Sequence, residues 1–241
     1  DTWLMVVLIT AIGFAGYVAT RVAGARLGTA LTGLIGGLAS STAVTLALAR
    51  RSRETAPLTC LLGMTLASLV MLGRVAVLAA VVSPHFFQCV APLLALIALP
   101  GLGYAIHSWL RAPREPAVDR LAVRNPAGLG VAVKFGIAYA LVVLMVKVVL
   151  GKFGGAGLLL VSFLSGLTDL DAITLTLARM SRDSGLDLSL AARGLLLALA
   201  ANTLFKTGLT LAAGAPVLRR PATVLGVATA ALCAAAAVWM R

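Results

Sequence analysis

Residues 37–50 read GLASSTAVTLALAR, and residues 166–179 read GLTDLDAITLTLAR. Gly, Leu, Ala, Thr, Leu, Leu, Ala and Arg recur in register, and Val44 matches Ile173. The likeness extends weakly outward. Arg53–Glu54 resembles Arg182–Asp183, and RVAVLAA at 74–80 resembles KTGLTLAA at 206–213. Leu/Ala-rich helices share Leu and Ala by chance, but shared Gly, Thr and Arg positions point to an internal duplication. The second copy also holds Asp169 and Asp171 inside an apolar run, where a carboxylate is costly.

The whole chain is apolar. It is 61% hydrophobic and 12% charged, with a mean hydropathy of +1.04; a soluble domain carries about a quarter charged residues. Runs long enough to cross a hydrocarbon core of about 30 Å suggest eight spans: 3–22, 28–50, 57–82, 86–110, 127–149, 156–180, 186–212 and 217–240. The polar, proline-bearing stretch RAPREPAVDRLAVRNPAG at 111–128 divides them. The expected fold is all-α and polytopic. It has a first four-helix repeat at 1–110, a cytoplasmic linker at 111–126 and a second repeat at 127–241. An even number of spans per copy makes the repeats parallel. Asp1 in place of Met suggests a fragment or a processed product.

The net charge of +12 does not form a nucleic-acid face. Its Arg residues sit in short clusters between apolar runs. Arg50, Arg51, Arg53, Arg111, Arg114, Arg120, Arg124, Arg179 and Arg182 mark one side, against Arg26, Lys152, Arg219 and Arg220 on the other. The positive-inside rule makes the first set cytoplasmic, in a bacterial inner membrane, with both termini on that side. Trp3, Trp109 and Trp239 then fall at cytoplasmic interfaces. Cys60, Cys89 and Cys233 have no ligand spacing, and His85 and His107 read as interface residues. No nucleophile–base–acid set or phosphate loop is visible, so the expectation is a non-enzyme without a cofactor.

Chemistry concentrates where the two copies align. Gly33, Gly36 and Gly37 precede Ser40, Ser41, Thr42 and Thr45; Gly166 precedes Thr168, Asp169, Asp171 and Thr174. Ser40 matches Asp169, and Thr42 matches Asp171. Glycine loosens a helix, and Ser and Thr re-satisfy backbone groups that a break would free. The pattern predicts broken second and sixth helices facing each other across a midplane polar centre. On an intact helix Asp169 and Asp171 point about 200° apart. Either the helix unwinds, or the two do different jobs. Unwound, they offer oxygen ligands for a hard cation such as Mg²⁺. Alternatively they are structural, neutralising Arg74, Lys206, Lys134 or Lys147. Asn202 shares a helix face with Lys206.

At these motifs the chain resembles a bacterial membrane domain of unknown function, number 4010, which typically forms the C-terminal part of MgtC/SapB-family proteins. The resemblance implies a preceding MgtC-like portion, absent here. The MgtC name is associated with magnesium limitation, and Mg²⁺ transport is not established by it.

The leading expectation is a transporter or carrier for an inorganic cation, Mg²⁺ first. Asp169 and Asp171 would bind the ion. Ser40, Ser41, Thr42, Thr45, Thr168 and Thr174 would line its path, and Arg74, Asn202 and Lys206 would set the charge around it. A non-transporting module that binds and regulates an MgtC-like partner is the second expectation, and an anion carrier the third. Besides lipid, the partners this reading allows are a cation, an MgtC-like portion and a second copy; nucleic acid is not among them.

Overall fold

The computed structural model describes residues 28–54, 57–111, 144, 155–167 and 169–240. The expected first span, nearly all of the fifth, and the linker after Arg111 lie outside them. Every regular element among the described residues is helical: α1 (Gly28–Arg51), α2 (Pro57–Val82), α3 (Pro84–Arg111), α4 (Gly155–Leu167), α5 (Leu170–Asp183), α6 (Leu188–Ala213), a 3₁₀ turn (Pro216–Leu218) and α7 (Arg219–Trp239). Pro57 and Pro84 open their helices, where a missing N–H costs nothing. Five stretches are long and apolar enough to cross a membrane: Thr32–Arg51, Pro57–Val82, Pro84–Leu110, Leu188–Ala213 and Pro216–Trp239. Val224, Val227 and Val238 of α7 and Leu99, Ile106 and Leu110 of α3 are exposed, as suits a lipid-facing surface. This is a membrane protein.

The chain packs as two compact units. The first takes the described parts of Asp1–Leu72, Leu99–Ala132 and Lys206–Gly226, and the second those of Gly73–Ala98, Val133–Phe205 and Val227–Arg241.

In the first unit, α1 does not run straight. Ser40 has φ −163° and ψ 106° inside an otherwise helical run. A Cβ on Gly36 would lie 2.6 Å from Val44 Cγ2, although a straight helix separates residues eight apart by about 12 Å. The first limb, 28–39, lies against α2 in the same direction: Gly33 meets Gly63, and Gly37 meets Ala67. The second limb, 41–51, must return, because only residues 52–56 join it to the start of α2. Had it continued onward, that link would have to span about 36 Å, more than six extended residue steps allow. On the return, Val44, Leu48 and Ala49 pack with Cys60, Leu61 and Met64 in a buried cluster closed by Leu218 and Ala222. Thus α1 is a helical hairpin with Ser40 at its tip. Its limbs are about 16–18 Å long, roughly half of a ~30 Å core.

The second unit repeats this arrangement. Along α4 and α6, Gly155 meets Leu190, Gly194 meets Ser162, and Gly166 meets Ala198. Gly194 also touches Leu177 of α5, so both limbs pass it at one level. Residues 184–187 join α5 to α6, and Asp169 sits at the tip with φ −153° and ψ 139°. The stretches 28–50 and 156–180, expected to run as broken spans, therefore double back. The physical reason is extended backbone, at Ser40 and at Asp169, next to a glycine-lined limb whose missing side chains allow close backbone contact.

Candidate functional site

The tip of the second unit holds the two aspartates. Asp169 is the N-cap of α5, and its Oδ1 accepts the backbone N–H of Asp171 at 2.9 Å. An aspartate at that position stabilises a helix start by about 1 kcal/mol. Asp171 lies in the first turn, where the helix dipole favours a negative charge. Arg74 Nη2 donates to Asp171 Oδ2 in an ion pair. Asp171 is only 3% exposed, whereas Asp169 is exposed. The helix is interrupted, and the two carboxylates also act differently, since Asp169 caps while Asp171 pairs.

The freed backbone is partly satisfied by side chains. Asn202 Nδ2 donates to the Gly166 carbonyl at 2.9 Å, one of the orphan acceptors at the end of α4. Asn202 is buried, and its Oδ1 has no hydrogen-bond partner. Thr174 Oγ1 donates to Leu170 O at 2.7 Å, so its proton is committed to its own helix. Thr168, Lys134 and Lys147 lie outside the described residues.

The tip of the first unit has the same build with different charges. Ser40 Oγ accepts the N–H of Ala43 at 3.3 Å, capping the returning limb. Lys206 Nζ donates to Ser41 Oγ at 2.8 Å and lies 2.9 Å from Met71 Sδ. Lys206 is 6% exposed. Thr45 Oγ1 donates to Ser41 O at 2.8 Å, the counterpart of Thr174, and Thr42 is half-buried. Hence Ser40, Ser41, Thr45 and Lys206 gather at one tip, and Asp169, Asp171, Thr174, Arg74 and Asn202 at the other. Ser40→Ala is expected to lower stability by about 1 kcal/mol through loss of the cap. Ser40→Asp, which keeps a capping oxygen, should not; thermal unfolding in detergent separates them.

Sequence reasoning missed a second layer of contacts. Arg53 Nη2 donates to Ala212 O at 3.0 Å, and Ser52 Oγ accepts the N–H of Ala215 at 2.9 Å. Arg182 Nη1 donates to Val82 O at 2.9 Å. Each guanidinium caps the last turn of a helix whose carbonyls lack partners. Arg182 also bonds Asp183 at 2.6 Å, which holds the Asp183 carboxyl below its ordinary value. The signal was present in the likeness of residues 53–54 to 182–183.

The profile of the family described as "Domain of unknown function (DUF4010)" matches residues 7–214. The chain belongs to the DUF4010 family. The chain is also similar to an uncharacterized protein of Aquifex aeolicus (strain VF5), 36% identical over 193 residues that cover 78% of this chain and 84% of that relative. No solved structure matches the chain.

Proposed function

We propose that this DUF4010 protein is a membrane carrier for a small inorganic cation, with its ion site at the tip of the second hairpin. The observation that carries this reading is the exposed carboxylate of Asp169 at a backbone break in an apolar, membrane-type helical body. Irregular backbone at membrane depth is tolerated only where protein buries it or water reaches it. Breaks of this kind are where carriers hold their ions.

Asp169 offers free lone pairs, and Asp171 is held by Arg74. A cation arriving at Asp169 competes with the guanidinium for Asp171, and its departure restores the ion pair. Two carboxylates against one guanidinium leave a single net negative charge among these three groups. That balance suits a monovalent ion or a proton as cargo, alongside Mg²⁺. In this reading the ion is cargo that binds and leaves.

The buried Arg74–Asp171 pair favours a second reading, a static module that binds and regulates an MgtC-like partner. The deciding experiment is flux into proteoliposomes of Mg²⁺, Na⁺, K⁺ and protons, with chloride and phosphate as anion arms and a pH gradient as a variable. The carrier reading expects saturable flux of one cation, lost in Asp169→Asn. Anion flux alone, or no flux from folded protein, would remove it.

A further inference from the structure

We infer that Asn202 is a metal-ion ligand at the tip of the second hairpin, and that the ion it takes is Na⁺ stripped of its water. The inference rests on the ion site of the carrier reading and names a ligand and an ion for it.

Asn202 lies on α6 within the second unit and is 2% exposed. Its amide has one sensible orientation. Nδ2 donates to the Gly166 carbonyl at 2.9 Å, and the flipped amide would set one oxygen against another. Oδ1 therefore faces away from that carbonyl, and among the described residues nothing donates to it. Buried polar atoms are nearly always paired, so this oxygen calls for a ligand.

The surroundings suit a cation. Gly166 belongs to the C-terminal end of α4, where the last carbonyls carry partial negative charge. Such ends of interrupted helices coordinate Na⁺ or protons in carriers. Asp169 follows three residues later, and its N–H still bonds Ser165 O at 2.9 Å. That bond extends the helical ladder and keeps the Asp169 backbone within about 4.5 Å of helical rise from Gly166. The Asp169 carboxylate is exposed and commits Oδ1 to the Asp171 N–H.

The chemistry chooses the ion. Asp171 is paired with Arg74, which leaves Asp169 as the carboxylate of this tip that faces a cation, matching a single positive charge. An amide oxygen is a neutral acceptor too weakly basic to hold a proton, so it serves a metal ion. An ion at the buried Oδ1 must shed its water, whereas Mg²⁺ dehydrates reluctantly and keeps several waters. Close packing, with a Cβ on Gly166 2.7 Å from Ala198 Cα, favours Na⁺ over the larger K⁺. The tip of the first hairpin instead holds the Lys206 ammonium on Ser41 Oγ, a charge that repels cations. Asp169 and Asn202 thus act in order: the exposed carboxylate receives the hydrated ion, and the buried amide replaces its water.

The test is thermal unfolding of the full chain in detergent, in NaCl, KCl or MgCl₂, with choline chloride holding ionic strength constant. An ion that binds the folded state raises the melting temperature with its concentration. Na⁺ is expected to do so for the parent, and K⁺ and Mg²⁺ are not. Loss of even an outer partner of a metal costs about tenfold in affinity, so Asn202→Ala should need at least about tenfold more Na⁺ for the same rise. Asn202→Asp keeps an oxygen and adds a charge, and should respond to Mg²⁺. A purely structural asparagine would lower the melting temperature in choline and leave the Na⁺ dependence as it was, which overturns the inference. A parent stabilised by K⁺ or Mg²⁺ instead of Na⁺, or by no ion, overturns it as well. If Asn202→Ala does not fold, Asn202→Asp decides, and an unchanged ion preference there counts against the ligand. Transport is measured separately. Na⁺ binding that depends on Asn202 without flux in proteoliposomes upholds the ligand and removes the carrier. Flux of another cation upholds the carrier and removes the Na⁺ site.

Discussion

Gly166→Val is expected to leave no folded protein, while Gly208→Ala leaves the melting temperature unchanged or raised. Both glycines lie within helices, but their surroundings differ. A Cβ on Gly166 would lie 2.7 Å from Ala198 Cα, and nothing lies within 4 Å of one on Gly208. Overpacking a core costs about 1–3 kcal/mol when side chains can rotate away. Here the obstacle is backbone, so the limbs of the hairpin and α6 must separate along their length. A cost above roughly 4 kcal/mol falls in the exceptional range. Gly37→Val should behave the same way, since its Cβ would lie 2.8 Å from Ala67 Cα. Size-exclusion profiles and thermal unfolding of detergent-solubilised protein provide the measurement. A monodisperse Gly166→Val protein melting near the parent would show that α4 and α6 are not packed this closely. Gly208→Ala supplies the contrast, because an open helical glycine exchanged for alanine gains about 0.5–1 kcal/mol.

Membrane residence was legible in the sequence because hydropathy is a sum over many residues, and no single contact alters it. The break positions were also legible. Gly37 and Gly166 align, and so do Ser40 and Asp169 three residues later, where a hydroxyl and a carboxylate can cap a new helix start. What the sequence did not reveal was the sense of the chain after the break. A run such as Thr32–Arg51 has the hydropathy of a crossing helix, and one extended residue at Ser40 leaves that sum unchanged. The reversal is set by tertiary contacts, such as Gly33 with Gly63, which no periodicity records. Partner choice was equally hidden. Arg74 and Lys206 stood out as cations inside apolar runs, yet the first takes Asp171 while the second bonds Ser41 and Met71. Reading Arg53 and Arg182 only as positive-inside markers concealed their hydrogen bonds to Ala212 and Val82.

Asp171→Asn is expected to destabilise the protein strongly, whereas Asp169→Asn should leave stability nearly unchanged. The difference follows from burial and pairing. Asp171 is 3% exposed and shares its charge with Arg74, itself largely buried. Removing one partner of a buried pair costs about 3–5 kcal/mol, because the remaining charge loses its compensation. Asp169 is exposed, and asparagine caps a helix about as well as aspartate. Replacing both members of the pair, Arg74→Met with Asp171→Leu, should recover most of the lost stability, since apolar replacement of a buried pair is often neutral or favourable. The same three proteins separate the two functional readings. In a carrier, the double variant is stable but moves no ion, and Asp169→Asn is stable and equally inactive. In a static module, both retain partner binding, and only Asp171→Asn fails, through instability. Thermal unfolding and cation flux on each variant decide the matter. An Asp171→Asn protein as stable as the parent would mean that the Arg74 ion pair does not hold the second hairpin in place.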